Sequence, residues 1–273
     1  MSRRDTHKKL ASGYVGSAIE LYYNAGAYLR DAVKTLRTNI QFSSIDKEIQ
    51  TIVTTSVVPH EGKSLVSIFL GIAMAESGKR VLLLECDCRR PMLRSYLKLK
   101  TPYSFADILT NEQMKPIDAV VNTPIANLYF LNNVQMINPV ELMGSNKFWS
   151  TIMLLKQEFD VIILDTPPLG SFIEAAVLGA KADGTMLVFS QGSTEIADAQ
   201  NVVAQLNKAK ANIIGAVLNN VDMSDNQYYN EYYYSGGTRS RRRSRAKTIK
   251  RQNDKTPSPT TKDTDIVQDN EES

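Results

Sequence analysis

A chain of 273 residues, 42% of them hydrophobic, carries enough apolar material for one α/β domain with a large core and leaves residues over for polar ends. Its formal charge of +3 is too small to mark the whole molecule as a nucleic-acid binder, and no run of about 18 apolar residues offers a membrane span. The polar, basic start MSRRDTHKKLASGY lacks the apolar stretch of a signal peptide, so a cytoplasmic protein is expected.

In chain order, residues 1–27 read as a flexible N-terminal segment. Leu29, Val33, Leu36 and Ile40 then recur at helical spacing and predict an amphipathic helix. Between residues 51 and 220 the apolar runs TIVTTSVV, VLLLE, LYFL, VIILD, TMLVF and IIGAVLN have strand length. They alternate with segments of helical length such as SLVSIFLGIAMAES and STEIADAQNVVAQLNKA. Strands separated by crossover helices predict an α/β fold with a doubly wound, mostly parallel sheet.

The first strand leads through TSVVPHEGKS into a helix, which puts Gly62, Lys63 and Ser64 where a phosphate-binding loop needs them. Backbone N–H groups at a helix N-terminus face phosphate oxygens, a lysine there reaches the terminal phosphates, and a serine hydroxyl can ligate magnesium. The first glycine of the full P-loop pattern is Val57 here, so the loop taken alone also fits a plain capped helix start. The second strand, VLLLECDCRRP, ends in Glu85 and Asp87, which alternate onto one side, with Arg89 two positions on; this reads as a paired acid site. Cys86 and Cys88 are too close for an ordinary disulfide framework and too few for a zinc site, and are expected to be reduced strand residues. In FDVIILDTPP, Asp165 ends a buried apolar run, where a charge is costly unless it meets a metal or a polar ligand. That is a Walker B pattern.

After Tyr234 the chain has almost no apolar residues, and residues 236–273 read as a disordered tail, basic and then acidic. The run Arg239, Arg241, Arg242, Arg243 and Arg245 is either a solvated charge run or a surface for phosphotyrosine, an anionic membrane or nucleic acid without sequence specificity.

Taken together, DAVKTLRTNIQF, TSVVPHEGKS, VLLLECDCRRP, the NPVELMGS segment at 138–145, IILDTPP and the closing tyrosines resemble the bacterial tyrosine kinases of capsule and exopolysaccharide synthesis. The form resembled is the separate cytoplasmic subunit of Gram-positive bacteria, and the resemblance covers residues 28–235. It implies a P-loop NTPase of the deviant Walker (MinD/ParA-like) group over 28–227, followed by a tyrosine cluster at 228–235. It implies ATP and Mg2+ as cofactors, with Lys63, Glu85, Asp87 and Asp165 catalytic and with Ser64, Asp87 and Asp165 at the metal. Nucleotide contacts would come from Pro59, His60, Glu61, Gly62, Lys63, Ser64, Leu65, Arg89 and Asn219. Phosphate would be received by Tyr228, Tyr229, Tyr232, Tyr233 and Tyr234, and self-association into a homo-oligomer would use Asp31, Lys34 and Arg37. The implied partners are a membrane-bound polysaccharide co-polymerase, which activates through its cytoplasmic tail and holds the kinase at the inner face of the membrane, and a tyrosine phosphatase. No specific nucleic acid is implied.

The sequence departs from the family pattern at several positions. His60 stands for a loop glycine, Leu65 for a hydroxyl residue and Glu85 for an aspartate, while Phe69 and Ser190 replace the usual Asn and Arg. These changes keep a second expectation open, a degenerate nucleotide-binding scaffold of the same complex. A partitioning or division-site ATPase is a third, although Val57 and Val58 occupy the positions where that group carries its extra lysine.

Overall fold

The computed structural model describes residues 17–44, 48–136 and 138–222. The expected phosphorylation sites and the arginine run lie outside the described residues. The chain runs through α1 (Ala18–Asn24), α2 (Ala27–Phe42), β1 (Thr51–Ser56), α3 (Lys63–Glu76), β2 (Val81–Glu85), α4 (Leu93–Leu97) and α5 (Phe105–Thr110). A 3₁₀ turn (Pro116–Ala119) leads into β3 (Val120–Asn122) and β4 (Leu128–Leu131). The chain continues with α6 (Pro139–Gly144), α7 (Asn146–Leu155), β5 (Val161–Asp165), α8 (Glu174–Gly179), β6 (Gly184–Ser190), α9 (Ile196–Lys208) and β7 (Ile213–Asn219).

The described strands form one sheet in the order β3-β4-β2-β5-β1-β6-β7. All neighbours pair in parallel except β3 with β4. The expected doubly wound, mostly parallel fold is what the chain adopts. The antiparallel edge strand β3 is absent from the strands expected, because three residues ending in Asn122 make no apolar run long enough to read as one. The central strands β1, β2 and β5 are buried at every position, which is why β2 and β5 run apolar without alternating up to a terminal acid, while β1 buries Thr51, Thr54, Thr55 and Ser56 beside Ile52 and Val53. Their side chains still divide by parity between two cores. Leu82, Leu84, Ile162 and Leu164 face α5, α7, α8 and α9, whereas Leu83, Val81, Ile163 and Val161 face α1, α2 and α3.

The amphipathic helix predicted from Leu29, Val33, Leu36 and Ile40 is α2, with Val33 and Ile40 buried on that second core. The flexible segment expected over 1–27 needs a correction, because residues 18–24 within it form α1. Ser17 and Glu20 cap α1 reciprocally, the Ser17 hydroxyl accepting from the Glu20 N–H and the Glu20 carboxylate from the Ser17 N–H, each at 3.1 Å. A helix of seven residues is too short to persist in water on its own. What holds it is Tyr22, fully buried, with its ring centroid 5.5 Å from that of Phe69 on α3. The Tyr23 hydroxyl adds a bond to the Glu76 carboxylate at 2.9 Å, at the far end of α3. Truncating Tyr22 to alanine would cost about 3–5 kcal/mol, the scale for a buried aromatic.

Candidate nucleotide and phosphoryl-transfer site

The site forms where the carboxyl ends of β1, β2 and β5 lie side by side, the usual place for a ligand in an open α/β sheet. Register does much of this work, since Asp165 pairs with Thr54 on one side and with Glu85 on the other.

Beyond Ser56 the chain turns sharply. His60 takes a left-handed φ of 69° and Gly62 one of 90°. Gly62 is required twice over, for its φ and for space, since a Cβ there would lie 2.1 Å from the Asn219 amide nitrogen. That nitrogen donates to the Glu61 carbonyl at 2.9 Å, so Asn219, at the end of β7, fastens the loop from behind. The α3 helix then starts at Lys63 with no side chain capping its N-terminus, which leaves first-turn N–H groups for an anionic ligand. Pro59 and His60 are exposed at the tip, while Leu65 points away and packs against the second core.

The Lys63 ammonium is the centre of the polar cluster. It lies 3.2 Å from Asp87 Oδ2, 3.2 Å from the Ser64 hydroxyl and 3.9 Å from Asp165 Oδ2. Burial by itself would lower the Lys63 pKa, but the charges of Asp165 and Asp87 outweigh it and leave the ammonium more firmly protonated than in water. The Ser64 hydroxyl donates to Asp165 Oδ2 at 2.6 Å, and the Ser67 hydroxyl, one turn on, donates to Oδ1 at 3.1 Å. Burial pushes the Asp165 carboxyl up, and Lys63 and the Ser64 hydroxyl pull it partly back. Ser67 is absent from the residues expected at the site. Its spacing of three from Ser64 on a helix was the available signal.

Glu85 and Asp87 do not form the expected pair on one side of a strand. β2 ends at Glu85, so alternation no longer governs Asp87. The Glu85 carboxylate is fully buried and accepts three backbone bonds, from Asp87 N–H at 3.1 Å and from Met92 and Leu93 N–H at 2.9 Å each. Its pKa is pushed up to about 8, by burial first and then by the Asp165 charge, against the pull of the Leu93 N–H. Asp87 instead directs one oxygen to Lys63 and accepts the Arg90 N–H on the other at 2.9 Å. Arg89 turns to Glu174, donating from Nε at 2.8 Å, and stacks 4.1 Å above the Phe172 ring. Cys86 and Cys88 are free and buried as expected, but they follow the strand rather than lie in it; burial pushes both thiols up, that of Cys88 to about 12.

The donor set suits the implied ligands. Ser64, Asp87 and Asp165 offer only oxygen, the preference of a hard dication. Among the described residues no group of three or more His, Cys, Asp and Glu side chains is arranged to hold a metal alone. Lys63, seated between two carboxylates, marks where positive charge is already accommodated.

On α2, Asp31 and Lys34 are exposed, whereas Arg37 is turned inward and donates to the Ala73 carbonyl at 3.0 Å. The structure therefore separates the three residues expected to mediate self-association.

Comparison with known proteins places this geometry in context. A family model described as an AAA domain matches residues 50–220. The tyrosine-protein kinase CpsD of Streptococcus pneumoniae serotype 4 is 33% identical over 210 residues, covering 77% of this chain and 87% of that protein. The tyrosine-protein kinase wzc of Salmonella typhimurium is 26% identical over 205 residues, which cover 75% of this chain but 28% of that longer protein. Among solved structures, the kinase domain of the Escherichia coli tyrosine kinase ETK superposes with a TM-score of 0.66 at 25% identity, covering 70% of this chain and 75% of that one. With a matched AAA domain, the shared fold and these relatives, the chain belongs to the bacterial tyrosine-protein kinase family.

Proposed function

We propose that this protein transfers the γ-phosphoryl group of ATP to tyrosine hydroxyls, including its own at Tyr228, Tyr229, Tyr232, Tyr233 and Tyr234, in the service of capsular or exopolysaccharide synthesis and export. The observation that carries this reading is the Lys63 ammonium held among Asp87, Asp165 and Ser64 at the uncapped start of α3. Lys63 binds the terminal phosphates, first-turn N–H groups of α3 orient them, and Ser64, Asp165 and Asp87 offer oxygens to magnesium. Magnesium, when bound, supplies charge neutralisation on the phosphate oxygens. Asp87, the acid turned toward Lys63, is the group we assign to receive the tyrosine proton as the new O–P bond forms and ADP leaves. Glu85 acts through the backbone it holds. Phosphoryl transfer depends mainly on positioning and charge, so a buried carboxylate that shapes the 85–93 turn serves the reaction without touching the reacting atoms.

We infer, from the likeness to tyrosine-protein kinases such as wzc, that a membrane-bound co-polymerase activates this chain and holds it at the inner face of the membrane. Homo-oligomerisation through the exposed part of α2, at Asp31 and Lys34, fits the same picture, as does reversal by a tyrosine phosphatase. A second reading, a nucleotide-binding scaffold with weak transfer, draws on the Glu85 carboxylate being tied to backbone and on His60 in a left-handed conformation.

Incubating the full chain with ATP and magnesium, with and without the partner's cytoplasmic tail, followed by mass spectrometry of residues 220–240, separates the two. Phosphotyrosine accumulating over many turnovers supports the kinase, and binding without transfer supports the scaffold.

A further inference from the structure

The P-loop contains an acid, Glu61, that the phosphoryl-transfer scheme leaves unused. Glu61 is 1% exposed although it lies between exposed His60 and the helix start. Its carboxylate is divided between two pieces of chain more than 120 residues apart. Oε2 accepts the backbone N–H groups of Val57 and Val58, at 2.7 and 2.9 Å. Oε1 accepts the Ser190 N–H and the Ser193 hydroxyl, each at 3.2 Å, together with the Thr194 hydroxyl. The Glu61 carbonyl in turn holds the Asn219 side chain.

Two consequences follow from elementary chemistry. The N–H groups of Val57 and Val58 already have an anionic partner, so phosphate contacts fall to the second half of the loop, from Gly62 onward. A buried carboxylate receiving donors on both oxygens is a strong and directional tie, because bonds to an ionised acceptor are about twice as strong as neutral ones. Cutting one donor on the far side weakens the hold on the near side.

We propose that Glu61 is a positioning residue that couples the phosphate loop to the β6–α9 connection at 190–194, so that the Thr194 hydroxyl, which belongs to neither Walker motif, helps set the affinity for ATP. Ser190 to Thr194 thereby form a second support of the nucleotide site, and a change in that connection reaches the phosphates through one carboxylate. The inference rests on the nucleotide site proposed above, but the tie between 57–58 and 190–194 stands apart from it and can be measured without nucleotide.

The test uses the full chain with Thr194→Val, which removes one hydroxyl at nearly constant shape, and Thr194→Ser, which keeps it. Glu61→Gln is the more severe variant and is not needed if it fails to fold. Amide hydrogen exchange over 57–62 without ligand reports the tie, and calorimetric titration with ATP and magnesium reports its effect on the site. Thr194→Val is expected to speed exchange at Val57 and Val58 about tenfold and to weaken ATP about tenfold, the scale of one charge-assisted hydrogen bond, while Thr194→Ser restores both. Unchanged exchange at Val57 and Val58 in Thr194→Val overturns the proposal whatever happens to ATP. Faster exchange with unchanged ATP affinity overturns the claim on the site and leaves only a structural tie. If the wild-type chain bound no ATP, the nucleotide-site reading would fail, and exchange would still decide the tie.

Discussion

Glu85 and Asp87 leave the same strand two residues apart, yet one carboxylate is turned into the protein and the other toward the Lys63 ammonium. Both are carboxylic acids, and they differ by one methylene. The difference in direction comes from where β2 stops, because the chain after Glu85 folds back so that the Met92 and Leu93 N–H groups meet the Glu85 side chain. A buried carboxylate so held is an architectural group, whereas a carboxylate 3.2 Å from a lysine at the mouth of a helix can exchange that partner for a ligand.

The largest effect belongs to Lys63→Met. It removes the cation common to Asp87 and Asp165 and leaves two carboxylates facing each other, so nucleotide affinity should fall at least about a hundredfold, on the scale of losing one partner of a buried ion pair. Calorimetric titration with ATP and magnesium checks it, and unchanged affinity would remove the P-loop assignment.

Glu85→Asp sharpens the contrast next. The family's usual residue is one methylene shorter and would not reach the Met92 and Leu93 N–H groups from this backbone. The expected result is a loss of about 1–3 kcal/mol in denaturant unfolding, the cost of buried donors left unpaired, rather than a gain in rate. Recovery of faster transfer with no loss of stability would show that the turn adapts to the shorter acid.

His60→Gly is a smaller change of opposite sign. A residue with a Cβ in the left-handed region costs about 1–2 kcal/mol relative to glycine, partly offset by the greater freedom of glycine in the unfolded chain. A gain of about 0.5–1 kcal/mol in stability is expected from the same unfolding measurement. The smallest effect concerns the residues interleaved with the two acids. Cys86 and Cys88 are buried, and burial pushes both thiols up, so thiolate is scarce at neutral pH. Iodoacetamide should leave the native protein unlabelled over a period that labels the unfolded chain fully, as read by intact-mass spectrometry.

What the sequence made legible follows the same division. The order of strands and helices was readable because buried strands such as β2 and β5 are apolar runs, and Asp165 stood out as a charge ending one of them. Gly62, Lys63 and Ser64 were readable from their position between strand and helix. The role of Glu85 was not, since its partners at 92 and 93 are brought to it only by the fold. Glu61, likewise, was expected among the nucleotide contacts but not as a tie to 190–194, a contact across some 130 residues of chain. The α1 helix escaped because seven residues hold too few turns to show a period, and Tyr22 acquires its meaning only against Phe69.

The most direct test of the account is single-turnover phosphorylation of the full chain, with labelled ATP and magnesium, in Asp87→Asn and Glu85→Gln side by side with wild type. Asp87→Asn should slow appearance of phosphotyrosine about 10²–10⁴-fold, the range for a positioned acid–base group, while Glu85→Gln should stay within about tenfold of wild type. A normal rate in Asp87→Asn with a collapsed rate in Glu85→Gln would contradict this and assign the proton-accepting role to the buried acid.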